Sequence, residues 1–542
     1  MGVWDVVIIG GGISGLYSAL LLARREAVAR RSRSRGDIHT STPPRIAILA
    51  PHGPPKHGAV GSGRLCTRGW HGVRIQEGAG VIRIPKDRRL LGLAAFLGVE
   101  VRRVRPEPGI DIRELVHRGE GEGESESESG AGRYNFEGLH DELIQHYKKS
   151  RTLGTQTFRE WASSPAVLGP AKYAEFVRRS GFTDYEGLEV DLAMRWYGFD
   201  DLRGDAAEPT PVGLVDWSAL LVALWARLRR CTEVRVEWIR GSAARLSFHG
   251  HGHFMGVHYT VSSSSSSRSP RAPEVLLGQQ LVLATPVSSL HRLLSSSSRL
   301  CTWDPLAEHA LMKCLRGQPF CRIYVLAHPQ GSRGNATLHA ALASPRPRQM
   351  TVDGPLQKMA GIGPVASPSL SAPSRRRQTD RQTSATIPAG CWVYQIAYAD
   401  SAAALTLLDA LPFSPGPADR EPRRLALHTA ARGTEAKDGD GDGEHLRRLE
   451  NLVASALGVQ SRILIREAVG FFWAEGTHTW GSNLGARKSQ LPHMHLDFLA
   501  RVRRPFTGQN LCVVGEAVGI YQGWTEGALQ SIAAEFQDQG HN

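Results

Sequence analysis

Along the chain, short apolar runs alternate with amphipathic stretches and with polar tracts that carry no period. Val3-Trp4-Asp5-Val6-Val7-Ile8-Ile9 is β-branched and almost continuously apolar, as expected of a parallel strand buried on both faces. Gly10-Gly11-Gly12-Ile13-Ser14-Gly15 follows at once, and Leu16, Ala19, Leu20 and Ala23 then share one face of a helix predicted over residues 16–25. Arg45-Ile46-Ala47-Ile48-Leu49 predicts a second strand. Between such elements lie biased segments: the basic stretch 24–44, the acidic 120–129, serine runs at 262–267 and 295–298, the Pro/Ser/Arg stretch 344–388, and 412–443. These compositions bury too little apolar surface to offset their ordering entropy, so they are expected as loops expanded on a scaffold. What remains when they are set aside is alternating strand and helix, an α/β protein.

The length of 542 residues implies two or three folding units, and 41% apolar with 22% charged residues is enough for ordinary cores. No run approaches the ~20 apolar residues of a membrane-spanning helix, so no transmembrane segment is expected. Met1 leads into the first strand without a charged leader or cleavage site, which points to an intracellular, cytoplasmic protein. The seven cysteines are odd in number and never spaced as a metal pair, which argues against a disulfide scaffold. Much of the net charge of +13 sits in Arg/Ser tracts such as 30–35 and 374–377, without interleaved aromatics, so no specific nucleic acid partner is expected.

The first strand, glycine turn and helix carry the clearest chemistry. Gly10, Gly12 and Gly15 have the dinucleotide-binding spacing: a tight turn, a close backbone approach to a pyrophosphate, and close helix–strand packing. The N-terminus of the helix then offers N–H groups and positive dipole to phosphate. At the end of the second strand, where an acid would bond a ribose hydroxyl, stands Ala50, with no substitute evident.

Further along come Gly61-Ser62-Gly63-Arg64-Leu65-Cys66-Thr67, Glu77-Gly78-Ala79-Gly80, Leu511-Cys512-Val513-Val514-Gly515-Glu516-Ala517 and Gly523-Trp524-Thr525-Glu526-Gly527-Ala528-Leu529. With these segments the chain resembles the flavin-containing amine oxidase family, which includes monoamine, polyamine and L-amino-acid oxidases. Ser62 to Thr67 match its Gly-Gly-Arg-x-x-Thr segment with serine for the first glycine. Val282 to Pro286 match an apolar strand ending in Thr-Pro, and Phe472 to Trp480 an aromatic segment before the last flavin motif. Pro319 to Tyr324 and Gln395 to Asp400 are most similar to an algal and large-DNA-virus subgroup.

The resemblance implies a Rossmann-type FAD-binding domain and a mixed α+β substrate domain with many loop insertions. The FAD unit is expected from 1–90, 211–300 and 466–542, a mainly helical substrate segment from 91–210, and the rest of the substrate domain from 301–465. Noncovalent FAD would lie against Gly10, Gly12, Ile13, Ser14, Gly15, Gly63, Arg64, Gly78, Ala79, Gly515, Glu516, Trp524, Thr525 and Ala528; it is noncovalent because Thr479 stands where covalent members carry cysteine. The reaction implied is oxidation of an amine to an imine, with oxygen as acceptor and hydrogen peroxide as product. Substrate would be aligned between two aromatic walls, Trp524 and Trp480, with Trp473 as alternate to Trp480.

Several readings stay open. Arg83-Ile84-Pro85 is similar to the region with which L-amino-acid oxidases hold a carboxylate, beside the alternative of a solvated arginine. The lysine that many members place near flavin N5 has only Lys358 as a candidate. The substrate is a small amine or an amino acid; a desaturase or protoporphyrinogen-type flavoenzyme and an inactive flavoprotein scaffold are alternatives. No metal is expected. The glycines between His249, His251 and His253 favour a turn, and the Asp438/Asp440/Asp442 run has Leu449 at its twelfth position, with Glu450 one residue late. The sequon at Asn335 is expected to be unused.

Overall fold

A computed structural model of the chain describes residues 2–32, 42–56, 64–107, 110–111, 136–150, 156–181, 183–190, 193–194, 211–249, 254–261, 273–296, 302–344, 348–365, 390–414, 422–428, 441–480 and 491–537. The expected insertions at 120–129, 262–267 and most of 344–388, together with Gly63, His251, His253, Asp438 and Asp440, lie outside the described residues.

Two large sheets carry the structure. The first is built on β1 (Trp4–Ile9), β2 (Arg45–Ala50), β3 (Arg235–Arg240), β4 (Ser242–His249), β5 (Phe254–Thr260) and β6 (Glu274–Leu283), in the order β4-β5-β6-β1-β2-β3. The core of this sheet is parallel: β6-β1, β1-β2 and β2-β3 all run the same way, and the strand Leu511–Val513 pairs with β6 in parallel. Burial on both faces follows from the alternation. Val7, Ile9, Ala47 and Leu49 join one core, while Val6, Ile8, Ile46 and Ile48 join another against α1 (Ile13–Ser32) and the helix α2 (Thr525–Phe536). Such two-sided burial is why these strands read as unbroken apolar runs.

The second sheet contains β7 (Leu315–Ala327), β8 (Lys358–Pro364), β9 (Trp392–Asp400), β10 (Arg423–His428) and β11 (Glu467–Trp480), ordered β10-β11-β7-β9-β8 and extended by Gln349–Thr351 and Ile110–Asp111. Here β11 corrects the expected layout: it was placed with the C-terminal FAD segment, but its backbone is zipped along β7 from Glu467 to Trp480. Its Ala468 and Phe472 fill the core on one face of the second sheet and Phe471 the cluster on the other, so its burial belongs to that layer. Within 91–210 the described residues include helices at 136–149, 158–162 and 169–180 around Phe158, Phe176 and Tyr185. It also contributes the strand Val101–Val104, which pairs with Val212–Val215 beside Ile82–Arg83.

The parallel strands end together. Ile9, Ala50, Leu283 and Val513 are the last residues of their strands, and each leads into a loop over the same edge of the sheet. That carboxyl edge is where open α/β sheets place ligands.

Candidate functional site

A cavity of about 2350 Å³ opens over this edge and reaches across to the second sheet. Drug-sized ligands fill roughly 300 to 1,000 Å³, so the volume accommodates a dinucleotide together with a substrate. Gly10, Gly12, Ile13 and Ser14 form one end of the wall; Arg64, Gly78 and Ala79 flank it; Gly515, Glu516, Trp524, Thr525 and Ala528 close it from the C-terminal segment. These expected residues, from four distant stretches of sequence, share one cavity.

The glycine turn is held as the sequence suggests. Gly10 has φ +116°, and a Cβ there would lie 2.2 Å from the carbonyl oxygen of Ala284. Gly15 does not line the cavity; a Cβ on it would lie 1.9 Å from the Gly10 carbonyl, so it sets the fit of α1 against the turn. Helix α1 thus starts with its positive end at the cavity, as an anionic pyrophosphate requires. Ala50 is buried and sits against Gly11 beside the Trp238 indole, which donates to the carbonyl of His52 at 2.8 Å.

Glu516 is the polar centre of the C-terminal part. Its Oε1 accepts from the backbone N–H groups of His478 (3.0 Å) and Gly523 (2.5 Å), and its Oε2 from His478 Nδ1 (2.5 Å) and Arg64 Nη1 (3.5 Å). Burial would raise this carboxyl, but the His478 and Arg64 charges and the Gly523 N–H outweigh it and hold it at about 2. His478 is buried at 1% exposure; desolvation opposes its charge, and Glu516 with Glu475 raises its pKa above the ordinary imidazole value despite nearby Arg64. Sequence reading missed His478. It is brought in because the C-terminal end of β11, still paired with β7, lies against Glu516 and Gln522, with Trp473, Gly476 and Thr477 also lining the cavity.

The two aromatic candidates separate. Trp524 lines the cavity, its ring carrying the Arg83 guanidinium 3.8 Å from the centroid. Trp480 does not line it: it is 2% exposed and packs edge-on against Phe498 at 5.6 Å, within the core of the first sheet. Trp473, the alternate, takes the wall position, its Nε1 donating to the carbonyl of Glu77 at 2.9 Å. One residue of alternation separates a wall side chain from a core one along a strand.

Arg83 is neither solvated nor open to a carboxylate. It is buried and held by Asp87, with Nε and Nη2 at 3.0 and 2.8 Å from Oδ1. Lys358 does reach the wall: buried on β8, it lies near Asp184 and Asp400, its Nζ 5.9 Å from the Tyr398 ring centroid. Burial lowers its pKa to about 7 against the opposing pull of the two carboxylates. Desolvation and the charge of Asp400 push Asp184 well above the usual carboxylate range.

Asn335 of the sequon is 1% exposed, and its amide donates to the carbonyls of His328 and Leu464, so the side chain is committed to the fold. Among the described residues, no group of His, Cys, Asp and Glu could hold a metal ion, and no helix is long and apolar enough to cross a membrane.

No protein-family model matches the chain, and neither does any curated protein. Solved structures of putrescine oxidase do: a triple mutant and a double mutant from a redesign of cofactor binding, with TM-scores of 0.55 and 0.54, and the wild type bound to putrescine, with 0.52. Each is 13% identical to the chain, and each pairing covers 98% of both chains. From end to end, the chain therefore has the fold of the putrescine oxidase structures.

Proposed function

We propose that the chain is an FAD-dependent amine oxidoreductase, oxidising an amine to an imine with oxygen as acceptor and hydrogen peroxide as product. The observation that carries the reading is the joining of the glycine turn, Arg64, the Gly78–Ala79 loop and the Glu516-to-Ala528 segment around one cavity large enough for cofactor and substrate. The fold shared with putrescine oxidase, one structure of which holds putrescine, supports an amine as substrate. The likeness to an algal and viral subgroup rests on sequence segments alone.

Gly10, Gly12, Ile13, Ser14 and Gly15 would hold the pyrophosphate at the start of α1, with Arg64 and Glu516 toward the ribityl chain. When bound, FAD supplies a two-electron acceptor for the hydride equivalent on the carbon beside the amine nitrogen. The chain's own residues do the rest. Trp473 and Trp524 provide flat apolar walls that align the substrate and exclude water. The N-terminus of α2 stabilises negative charge that builds over it. Lys358 Nζ, poised near pH 7, can hold or release a proton beside the reacting amine. We place Trp480 in a structural role.

The decisive test is the visible spectrum of the purified protein before and after anaerobic addition of amines and L-amino acids. Flavin bands that bleach are expected; no bands after loading with FAD would overturn the reading, and bands that never bleach would remove the amine assignment. Gly12→Val is expected to abolish flavin retention.

A further inference from the structure

The cavity wall holds a buried cation that has no carboxylate partner among the described residues. Arg322, on β7, is 4% exposed and lines the cavity. Its Nη1 donates to the Tyr324 hydroxyl at 3.3 Å, and that hydroxyl in turn donates to the carbonyl of Gln76 at 2.7 Å. The guanidinium also hydrogen-bonds the Tyr398 side chain and lies 4.6 Å from the centroid of its ring, with Phe320 on another side at 5.4 Å. Its Nε has no hydrogen-bond partner among the described residues.

The other buried cations of the wall differ. Arg83 has Asp87, and Lys358 has Asp184 and Asp400 close by. Burying a charge without a counter-charge is unfavourable, and tyrosine hydroxyls and aromatic faces offset only part of that penalty. Burial works against the charge of Arg322, but Tyr324 and Tyr398 outweigh it and hold the guanidinium above its ordinary pKa. The arrangement is a planar fork of donors, oriented by Tyr324, flanked by apolar rings and lacking its anion. It stands against the loop that brings Gly78 and Ala79 to the cavity: a Cβ on Gly80 would lie 2.7 Å from its Nη2.

We propose that Arg322 anchors a carboxylate on the substrate, so that the amine oxidised is one that also carries a carboxyl group. The assignment rests on the proposed reading of the cavity as an amine site, and it moves the carboxylate contact from Arg83 to Arg322. The Tyr398 hydroxyl would stand beside the same carboxylate.

The test is calorimetric titration of the full-length, FAD-loaded protein with matched pairs differing by one carboxylate: alanine and ethylamine, leucine and isopentylamine, phenylalanine and phenethylamine, ornithine and putrescine. In at least one pair the carboxylate member should bind about ten- to a hundredfold tighter, the range for a charge-assisted fork. Arg322→Met should erase that preference while leaving the decarboxylated member within about twofold, and should not lower the melting temperature, because it removes an uncompensated buried charge. Arg322→Lys keeps charge without the fork and should retain only part of the preference; Tyr398→Phe serves the same comparison should the methionine variant fail to fold.

Equal or tighter binding of the decarboxylated member in all four pairs, or no binding of any member, would overturn the proposal. So would a variant that weakens both members equally, or one that shifts the flavin bands and leaves the preference intact. The flavin content of the same samples reports on the broader reading separately: absent flavin refutes that reading, whereas a carboxylate preference in flavin-free protein would survive it.

Discussion

Replacing Glu516 by glutamine tests the polar centre of the site most directly. In the folded protein Oε1 can remain a carbonyl facing the His478 and Gly523 N–H groups, but the amide NH₂ must then face His478 Nδ1 and Arg64, both donors. The carboxyl is held at about 2 against an ordinary value of 4.5, a displacement worth about 3 kcal/mol. Because the folded pKa is depressed, this stabilisation is present above the unfolded value and is lost as pH falls through the folded one. Relative to the wild type, Glu516→Gln should therefore be less stable by about 3 kcal/mol at pH 7, shrinking to roughly half that by pH 3. Urea unfolding of both proteins at pH 7, 5, 4 and 3 reads the difference. A deficit under about 1 kcal/mol, or one that does not change with pH, would refute the argument that His478 and Arg64 hold an ionised carboxylate there.

Trp480→Phe should leave FAD retention and amine-dependent bleaching within about twofold, whereas Trp480→Ala should cost about 3 to 5 kcal/mol in urea unfolding, as expected of a core residue. Gly15→Val, which drives a side chain into the Gly10 carbonyl, should lose bound flavin and lower the melting temperature together; retained stoichiometric flavin would contradict the close packing of α1 on the turn. Lys358 has a lowered folded pKa of about 7, so between there and its unfolded value of 10.5 the unfolded chain binds the extra proton and stability rises with pH. Lys358→Met should flatten that rise, which urea midpoints at pH 7 and 9.5 measure as a change on the order of 2 kcal/mol.

Much of the half of the cavity around the glycine turn was legible in the amino-acid sequence because its requirements are local. Val6 to Ile9 are apolar at consecutive positions because both faces of a parallel strand are covered, and Gly10 and Gly15 are glycine because backbone stands where a Cβ would go. Such constraints act within a few residues, so spacing alone carries them. The half toward the second sheet was decided by tertiary structure. Trp473 and Trp480 are both tryptophans on β11, and only the pairing with β7 and the packing of Phe498 settle which faces the cavity. His478 meets Glu516 only because the end of β11, paired with β7, is packed against the Glu516-to-Gly523 segment, and Arg83 meets Asp87 within one turn of chain, spending the charge that had been a candidate for the substrate. Arg322 sits in an ordinary-looking strand. Its surroundings among the described residues, the Tyr398 ring of β9 and the Gly80 loop with no carboxylate beside them, are a property of what packs around it, and no local pattern of residues encodes what a side chain fails to meet.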